Sequence, residues 1–326
     1  MTATFASLLA ALATSVDPVP AEPRVHHSAW LVFWNPASLE RFEAQAHRIG
    51  EIKPEWIGVD ADGMPFRREH GAPEAKRRFW EVVRRHGVTA LAMVSNFASE
   101  AGGFDAKRVQ RMLADAETRR RHIEALVAIV REDGFAGIDL DIESLEAGDR
   151  DRFSAYVEEL AAALHRHRLR LTVTVHPKES DEGTWGGPSA QDFARIGRAA
   201  DSVKIMAYDH AWANSEPGPI APNAWVERVS AYALTRIPKE KLELGIAGYG
   251  YDWAERPARS LTWAGWAPFD ADAEDCALSG ERVAGKRRFS GANAFRQKKA
   301  LAERLGLRGI ALWYVGSEDP AVWGEP

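Results

Sequence analysis

Cysteine is nearly absent: Cys276 is the only one in 326 residues. No disulfide can form within the chain, and no cysteine-rich metal site can either. A single thiol in this setting reads as a passive side chain rather than a nucleophile. An excess of one charge is also missing, because 42 Lys and Arg face 47 Asp and Glu, a net charge of −5. That balance excludes the basic footprint of a nucleic-acid binder or of a protein held on anionic lipid. The apolar run Phe5–Val16 is too short to cross a bilayer, so no stable membrane insertion is expected. Ala11-Leu12-Ala13 resembles a leader cleavage site, yet no Lys or Arg precedes the run. Residues 1–27 therefore read as a signal-like or disordered segment ending in the linker Asp17–Pro23. A secreted or envelope location is expected ahead of a cytoplasmic one. A glycine-rich phosphate turn after an early strand is lacking, which argues against an open nucleotide-binding sheet.

Tryptophan, by contrast, is plentiful, with 12 in the chain. Indoles stack well on sugar faces, although most are expected to serve packing. Between residues 28 and 326 short β-branched runs alternate with charged amphipathic stretches. Eight runs stand out: 29–34, 55–59, 89–95, 137–142, 170–175, 202–206, 242–246 and 309–312. Phe153, Tyr156, Val157, Leu160 and Leu164 fall on one helical face between two of them, as do Ile123, Leu126, Val127 and Val130 before the fourth. Strand–helix alternation implies parallel strands with right-handed crossovers. Eight repeats favour an α/β fold, a (β/α)8 TIM barrel. Residues 255–288 break the rhythm and carry Trp263, Trp266 and the acids Asp270–Asp275. They predict a small insertion lobe after strand 7.

The fourth run carries the chemistry. In Gly137–Glu143 the apolar Ile138, Leu140 and Ile142 alternate with Asp139, Asp141 and Glu143. Strand side chains alternate faces, so the carboxylates share one face, neighbours roughly 6–7 Å apart at about 3.3 Å per residue. The apolar face suits the helix-packed outside of a barrel, which turns the acids inward. Glu143 comes last, at the strand end where barrel enzymes keep their sites. Like charges this close raise at least one pKa, and a raised Glu suits a general acid. A polar barrel core is the bland alternative. No His lies near this strand in sequence, and no metal or cofactor is expected.

These residues resemble the signature of glycoside hydrolase family 18, Asp-Gly-x-Asp-x-Asp-x-Glu. The chain reads Ala136-Gly137-Ile138-Asp139-Leu140-Asp141-Ile142-Glu143, with Ala136 in place of the first Asp. Met206-Ala207-Tyr208-Asp209 resembles the family's Met-x-Tyr-Asp after the sixth strand. Trp313 falls where the family places an indole beneath the bound sugar. Pro217–Pro222, Gly248–Trp253 and Gly316–Pro320 are similar to the branch of bacterial spore-germination and cortex-lytic N-acetylglucosaminidases. Wall-binding repeats common in that branch are not visible in residues 1–27.

The resemblance implies a retaining hydrolase of β-linked N-acetylglucosamine glycans, such as peptidoglycan or chitin, acting by substrate-assisted catalysis. Glu143 would be the proton donor and Asp141 would orient the substrate's acetamido group. Asp139 would share a proton with Asp141, and Tyr208 would donate to the acetamido oxygen. Trp313 would floor the sugar site, with Met206, Asp209, Trp34, Asn96 and Tyr249 as further substrate contacts. For several of these, local hydrogen bonding or barrel packing serves equally well. His210 is a further polar candidate, and His176, at the end of strand five, is a candidate for the cleft wall. His26 and His27 precede the first run and read as solvent-facing. A polysaccharide substrate and a monomer are expected. The rival reading is a non-catalytic chitin- or peptidoglycan-binding barrel, for which Ala136 is the sole support.

Overall fold

The computed structural model describes residues 26–324. The signal-like segment therefore lies almost wholly outside the described residues. Eight strands form the centre: β1 His26–Leu31, β2 Glu51–Val59, β3 Ala92–Ser95, β4 Gly137–Asp141, β5 Arg170–Val175, β6 Ser202–Ile205, β7 Leu242–Ala247 and β8 Gly309–Trp313. Each pairs in parallel with the next in chain order. The ring closes where β1 meets β8 through His26 opposite Gly309. This is the expected (β/α)8 barrel. The first strand begins earlier than its apolar run suggests. His26 and His27 are in the ladder and partly covered, and burial lowers the His27 pKa to about 4. They are not the solvent-facing pair that the sequence suggests.

Seven main helices connect the strands: α1 Pro36–Gln45, α2 Pro73–His86, α3 Ala116–Asp133, α4 Arg150–Arg166, α5 Phe193–Ala199, α6 Asn223–Leu234 and α7 Ala292–Arg304. Among the described residues no helix is long and apolar enough to cross a membrane. α3 starts where Asp115 accepts the Thr118 N–H at 2.8 Å and stops at Gly134, in the left-handed conformation at φ 81°. α4 buries all five residues of its expected face, Phe153, Tyr156, Val157, Leu160 and Leu164. Each such burial contributes roughly 1.5–3 kcal/mol.

The main apolar core lies between the strands and this helical jacket. The outward faces of β4 and β5 supply Ile138, Leu140, Leu171, Val173 and Val175, all fully buried. The barrel interior is polar and charged instead: Glu51, Lys53, Asp139, Thr172, Lys204 and Glu243 have no exposed surface. The predicted lobe is present, and its sheet begins earlier than expected, at Gly250. Gly250–Asp252, Arg259–Leu261, Glu274–Asp275, Arg282–Ala284 and Arg287–Phe289 form an antiparallel sheet. Its core stacks Trp266 on Phe289 at 5.6 Å, with Trp263 edge-on to the same ring. Those two indoles hold the lobe together. The acids near them pair locally, Asp270 and Asp275 both bonding Arg282.

Candidate active site

β4 carries Asp139 and Asp141 into the barrel, and Glu143 follows two residues beyond its last paired position. The strand lies close to β5. A Cβ on Gly137 would stand 2.1 Å from the Arg170 carbonyl oxygen, so only glycine fits. Ala136, the departure from the signature, is exposed at the opposite end of the strand from Glu143. Seven residues of extended chain separate the two by roughly 20 Å. At the chemical end, Asn96 accepts the Glu143 N–H and donates to the Glu143 carbonyl, both at 2.9 Å. The chain then turns through Ser144 at φ 58°.

Asp139 is saturated with donors. The Trp30 indole N–H reaches Oδ2 at 2.7 Å, and the Thr172 hydroxyl and Lys204 ammonium reach Oδ1 at 2.5 and 3.0 Å. Both oxygens are engaged, and no hydrogen bond joins Asp139 to Asp141 among the described residues. Asp139 is held in a buried ion pair with Lys204. The reason lies on β6, where Lys204 faces inward.

Asp141 stands in the opposite condition. It is 4% exposed, and its Oδ1 has no hydrogen-bond partner among the described residues. Burial, then the charges of Asp139 and Glu55, push its pKa up to about 8. Glu143 is likewise raised well above the usual carboxylate range by burial, then by Asp141 and Asp209. Asp141 thus keeps its proton near neutral pH, and Glu143 holds its own more tightly than an ordinary carboxyl does. His176 Nε2 lies 3.6 Å from Glu143 Oε2, and burial lowers the imidazole to about 4, so it is neutral there. It is the histidine near the acids that sequence distance hides, brought in by β5.

Tyr208 leans in from the turn after β6. Its ring has room because β7 offers Gly245, where a Cβ would meet Tyr208 Cε1 at 3.2 Å and the Ile205 carbonyl oxygen at 2.4 Å. Burial, then Asp141 and Glu143, keep its hydroxyl protonated. Asp209 sits at φ 58° with Oδ1 accepting from Tyr249 and Tyr251 at 2.5 and 3.0 Å. One tyrosine from the turn after β7 and one from the lobe sheet thus tie down this carboxylate.

These groups open onto a cavity of about 690 Å³, within the usual range for ligand sites of ~300–1,000 Å³. Asp141, Glu143, Met206, Tyr208, Asp209, Tyr249 and Trp313 line it, as the sequence expects. Asn96 does not; it is fully buried and acts on the Glu143 main chain. Trp34 does not either. It stands 53% exposed, its indole N–H on Glu55 at 3.0 Å and its ring edge-on to Tyr314. His210 packs against Trp225, outside the cavity wall.

The wall includes residues that the motifs leave out: Trp30, Phe104, Thr174, Trp185 and Trp212. Trp30 was legible from the alternation of β1, since it shares the inward face of Ser28. Trp185 and Trp212 sit on loops with no periodic signal, and stand 50% and 47% exposed. The Trp185 loop is pinned by Lys178, whose Nζ donates to the Gln191 carbonyl at 2.7 Å, and by Gln191 Oε1, which accepts the His176 N–H at 2.7 Å. The one grouping of metal-ligand type among the described residues is His26, Glu51 and Glu243. It lies away from this cavity and already faces Lys53 and Arg308.

A buried acid with its proton, an unpartnered carboxyl beside it and indoles around both can protonate a leaving oxygen while holding a polar substituent of a ring. The sequence profile described as glycosyl hydrolases family 18 matches residues 98–317. A glycosylase of Bacillus subtilis (strain 168), YvbX, described as uncharacterized, is 23% identical over 259 residues, 74% of this chain and 75% of that one. The cortical fragment-lytic enzyme of the same organism is 27% identical over 264 residues, 74% of this chain. The chain spans 60% of that relative's length. In three dimensions a class V chitininase from Pseudomonas fluorescens Pf-5 superposes with a TM-score of 0.84 at 24% identity, covering 92% of this chain and 97% of that one.

Proposed function

The chain belongs to glycosyl hydrolases family 18, and on that premise we propose that it is a retaining glycosidase of β-linked N-acetylglucosamine glycans working through the substrate's own acetamido group. One observation carries the reading. Asp141 Oδ1 is buried, unpartnered and set in the wall of the cavity that also holds Glu143, whose pKa burial raises above the usual carboxylate range. A buried polar atom without a partner costs about 1–3 kcal/mol, so a ligand that supplies an amide N–H is favoured there. An acetamido group supplies one.

In this reading Glu143 gives its proton to the glycosidic oxygen. The acetamido carbonyl attacks the anomeric carbon from the other face, forming an oxazolinium ion. Asp141 takes the acetamido N–H, and Tyr208 donates its hydroxyl to the acetamido oxygen. Water then opens the ring with Glu143 as base, and two inversions leave the configuration retained. Asp209 is a poor rival nucleophile because two tyrosine hydroxyls occupy its Oδ1. The purely sugar-binding alternative loses its support, since Ala136 lies at the far end of β4 from the chemistry.

The relatives' names point to spore cortex and to chitin, and both polymers carry the acetamido sugar. The experiment is digestion of purified peptidoglycan and chito-oligosaccharides side by side, with product masses and the first-formed anomer read out. Release of β-anomer from an N-acetylglucosamine linkage, with competitive inhibition by a thiazoline analogue, is expected. A covalent glycosyl adduct on any Asp or Glu would overturn the mechanism. No cleavage of either polymer would overturn the substrate class.

A further inference from the structure

The lobe after β7 holds a buried carboxylate that the chemistry above does not use. Glu281 has no exposed surface. Its Oε1 accepts the Ala221 N–H at 2.8 Å, and its Oε2 accepts the Ile220 N–H at 3.1 Å. Lys298 from α7 and Arg288 from the lobe sheet act on it at longer range, and Lys298 spends its ammonium on the Ser279 carbonyl at 2.5 Å. A buried carboxylate is costly unless it is paired or hydrogen-bonded. Both bonds of this one go to the main chain of a single loop.

That loop, residues 209–222, runs from the end of β6 to the start of α6. Its two limbs are tied to each other. The His210 N–H bonds the Ile220 carbonyl at 2.9 Å, and the Ala211 N–H bonds the Pro219 carbonyl at 3.1 Å. Glu281 therefore grips the return limb at the residues that fix the outgoing limb just before Trp212. Trp212 is a half-exposed indole of the cavity wall. The lobe meets the loop again beyond it, where the Trp253 indole N–H bonds the Trp212 carbonyl at 3.2 Å and the Ala258 N–H bonds the Ala213 carbonyl at 2.7 Å.

We propose that Glu281 is a positioning residue for substrate: from the lobe, and without touching the sugar, it sets the loop so that the Trp212 indole serves as a platform for a sugar beyond the reacting one. The inference rests on the glycosidase reading for the ligand, though not for the placement of the loop. A carboxylate suits two neighbouring N–H groups because each oxygen can take one, and such charge-assisted bonds are the strong ones. Gln offers one oxygen and sets an NH2 against the second N–H; Ala offers nothing. Asp209 begins the same loop but is held separately by Tyr249 and Tyr251. Loosening the Glu281 grip therefore falls on Trp212 rather than on the reacting carboxyls.

The test compares Glu281→Gln and Glu281→Ala with the intact chain, each alone and combined with Trp212→Ala. The chains are labelled with fluorotryptophan, and the Trp212 and Trp185 fluorine resonances are assigned by replacing each residue with Phe. Without substrate, Glu281→Ala is expected to shift or broaden the Trp212 resonance and leave that of Trp185 in place. Glu281→Gln is expected to move it less, in the same direction. KM for the hexamer of N-acetylglucosamine should rise by about fivefold in Glu281→Ala, the scale of one lost stacking contact, with kcat little changed. Once Trp212 is already Ala, the same substitution should change KM by less than about twofold, because the two residues act as one unit. A Trp212 resonance unmoved in both variants would overturn the proposal. So would a Trp185 resonance that moves as much as that of Trp212, or an equal KM rise with and without the indole. Should neither variant fold, amide hydrogen exchange on the intact chain decides. Ile220 and Ala221 are expected to exchange as slowly as the lobe strand Arg287–Phe289, and faster exchange would overturn the proposal. If the Trp212 resonance moves as stated while no glycan is cleaved, the glycosidase reading fails and the hold of Glu281 on the loop stands.

Discussion

Asn96 grips the main chain of Glu143 from both sides, accepting its N–H and donating to its carbonyl, each at 2.9 Å. The side chain comes from the residue just after β3, so the acid is held by the neighbouring strand as well as by its own. Asn96→Ala should leave Glu143 present but loosely aimed. A misplacement of about 1 Å can cost ~10²-fold, so kcat is expected to fall at least tenfold with KM little changed. Stability should fall by about 1–3 kcal/mol, because buried main-chain groups lose their partners. Steady-state kinetics on a folded variant decide the matter, and an unchanged kcat would count against this clamp.

Glu143→Gln removes the proton and keeps the shape. Turnover should drop by ~10²-fold or more, the usual scale of general acid catalysis. Binding of a chito-oligosaccharide, measured by calorimetry, should survive. Turnover equal to the parent would remove Glu143 from the role of acid.

Asp141→Asn should stabilise the protein while destroying its activity. The Asp141 pKa is raised from 3.8 to about 8 in the folded state. Between those values the folded chain keeps a proton that the unfolded chain has lost. Stability from this group is therefore full at acidic pH and declines as pH rises to about 8, at roughly 1.4 kcal/mol per pH unit at most. Asn carries no such penalty. The Tm gap between variant and parent should be near zero at low pH, widen through neutrality and level off above the folded pKa. A gap that does not change with pH would show that Asp141 is not held protonated by the fold.

Trp185 and Trp212 offer half-exposed indoles to the cavity. Replacing either with Ala should raise KM on long oligosaccharides while leaving kcat on the shortest cleavable one nearly unchanged, since only uniform binding is lost. Stacking on an aromatic face contributes on the order of 1 kcal/mol, so a rise of about fivefold in KM is expected. Equal effects on short and long substrates would place both indoles at the reacting sugar instead.

The sequence by itself determined the barrel and its strand of inward acids, because both follow from local rules. Alternation along Gly137–Glu143 sorts Ile138 and Leu140 from Asp139 and Asp141, whatever lies elsewhere. The 3.6-residue spacing of Phe153 to Leu164 likewise fixes the buried face of its helix. Tertiary structure alone decided what those inward acids meet. Lys204 is remote in sequence and stands 3.0 Å from Asp139 only because β4, β5 and β6 lie side by side in a closed ring. His176 reaches Glu143 for the same reason, and Trp185 and Trp212 reach the cavity on loops that carry no periodic signal. Which carboxyl is paired and which stays unpartnered is set by ring closure and desolvation. Those long-range effects give Asp139 a cation and leave Asp141 with a proton.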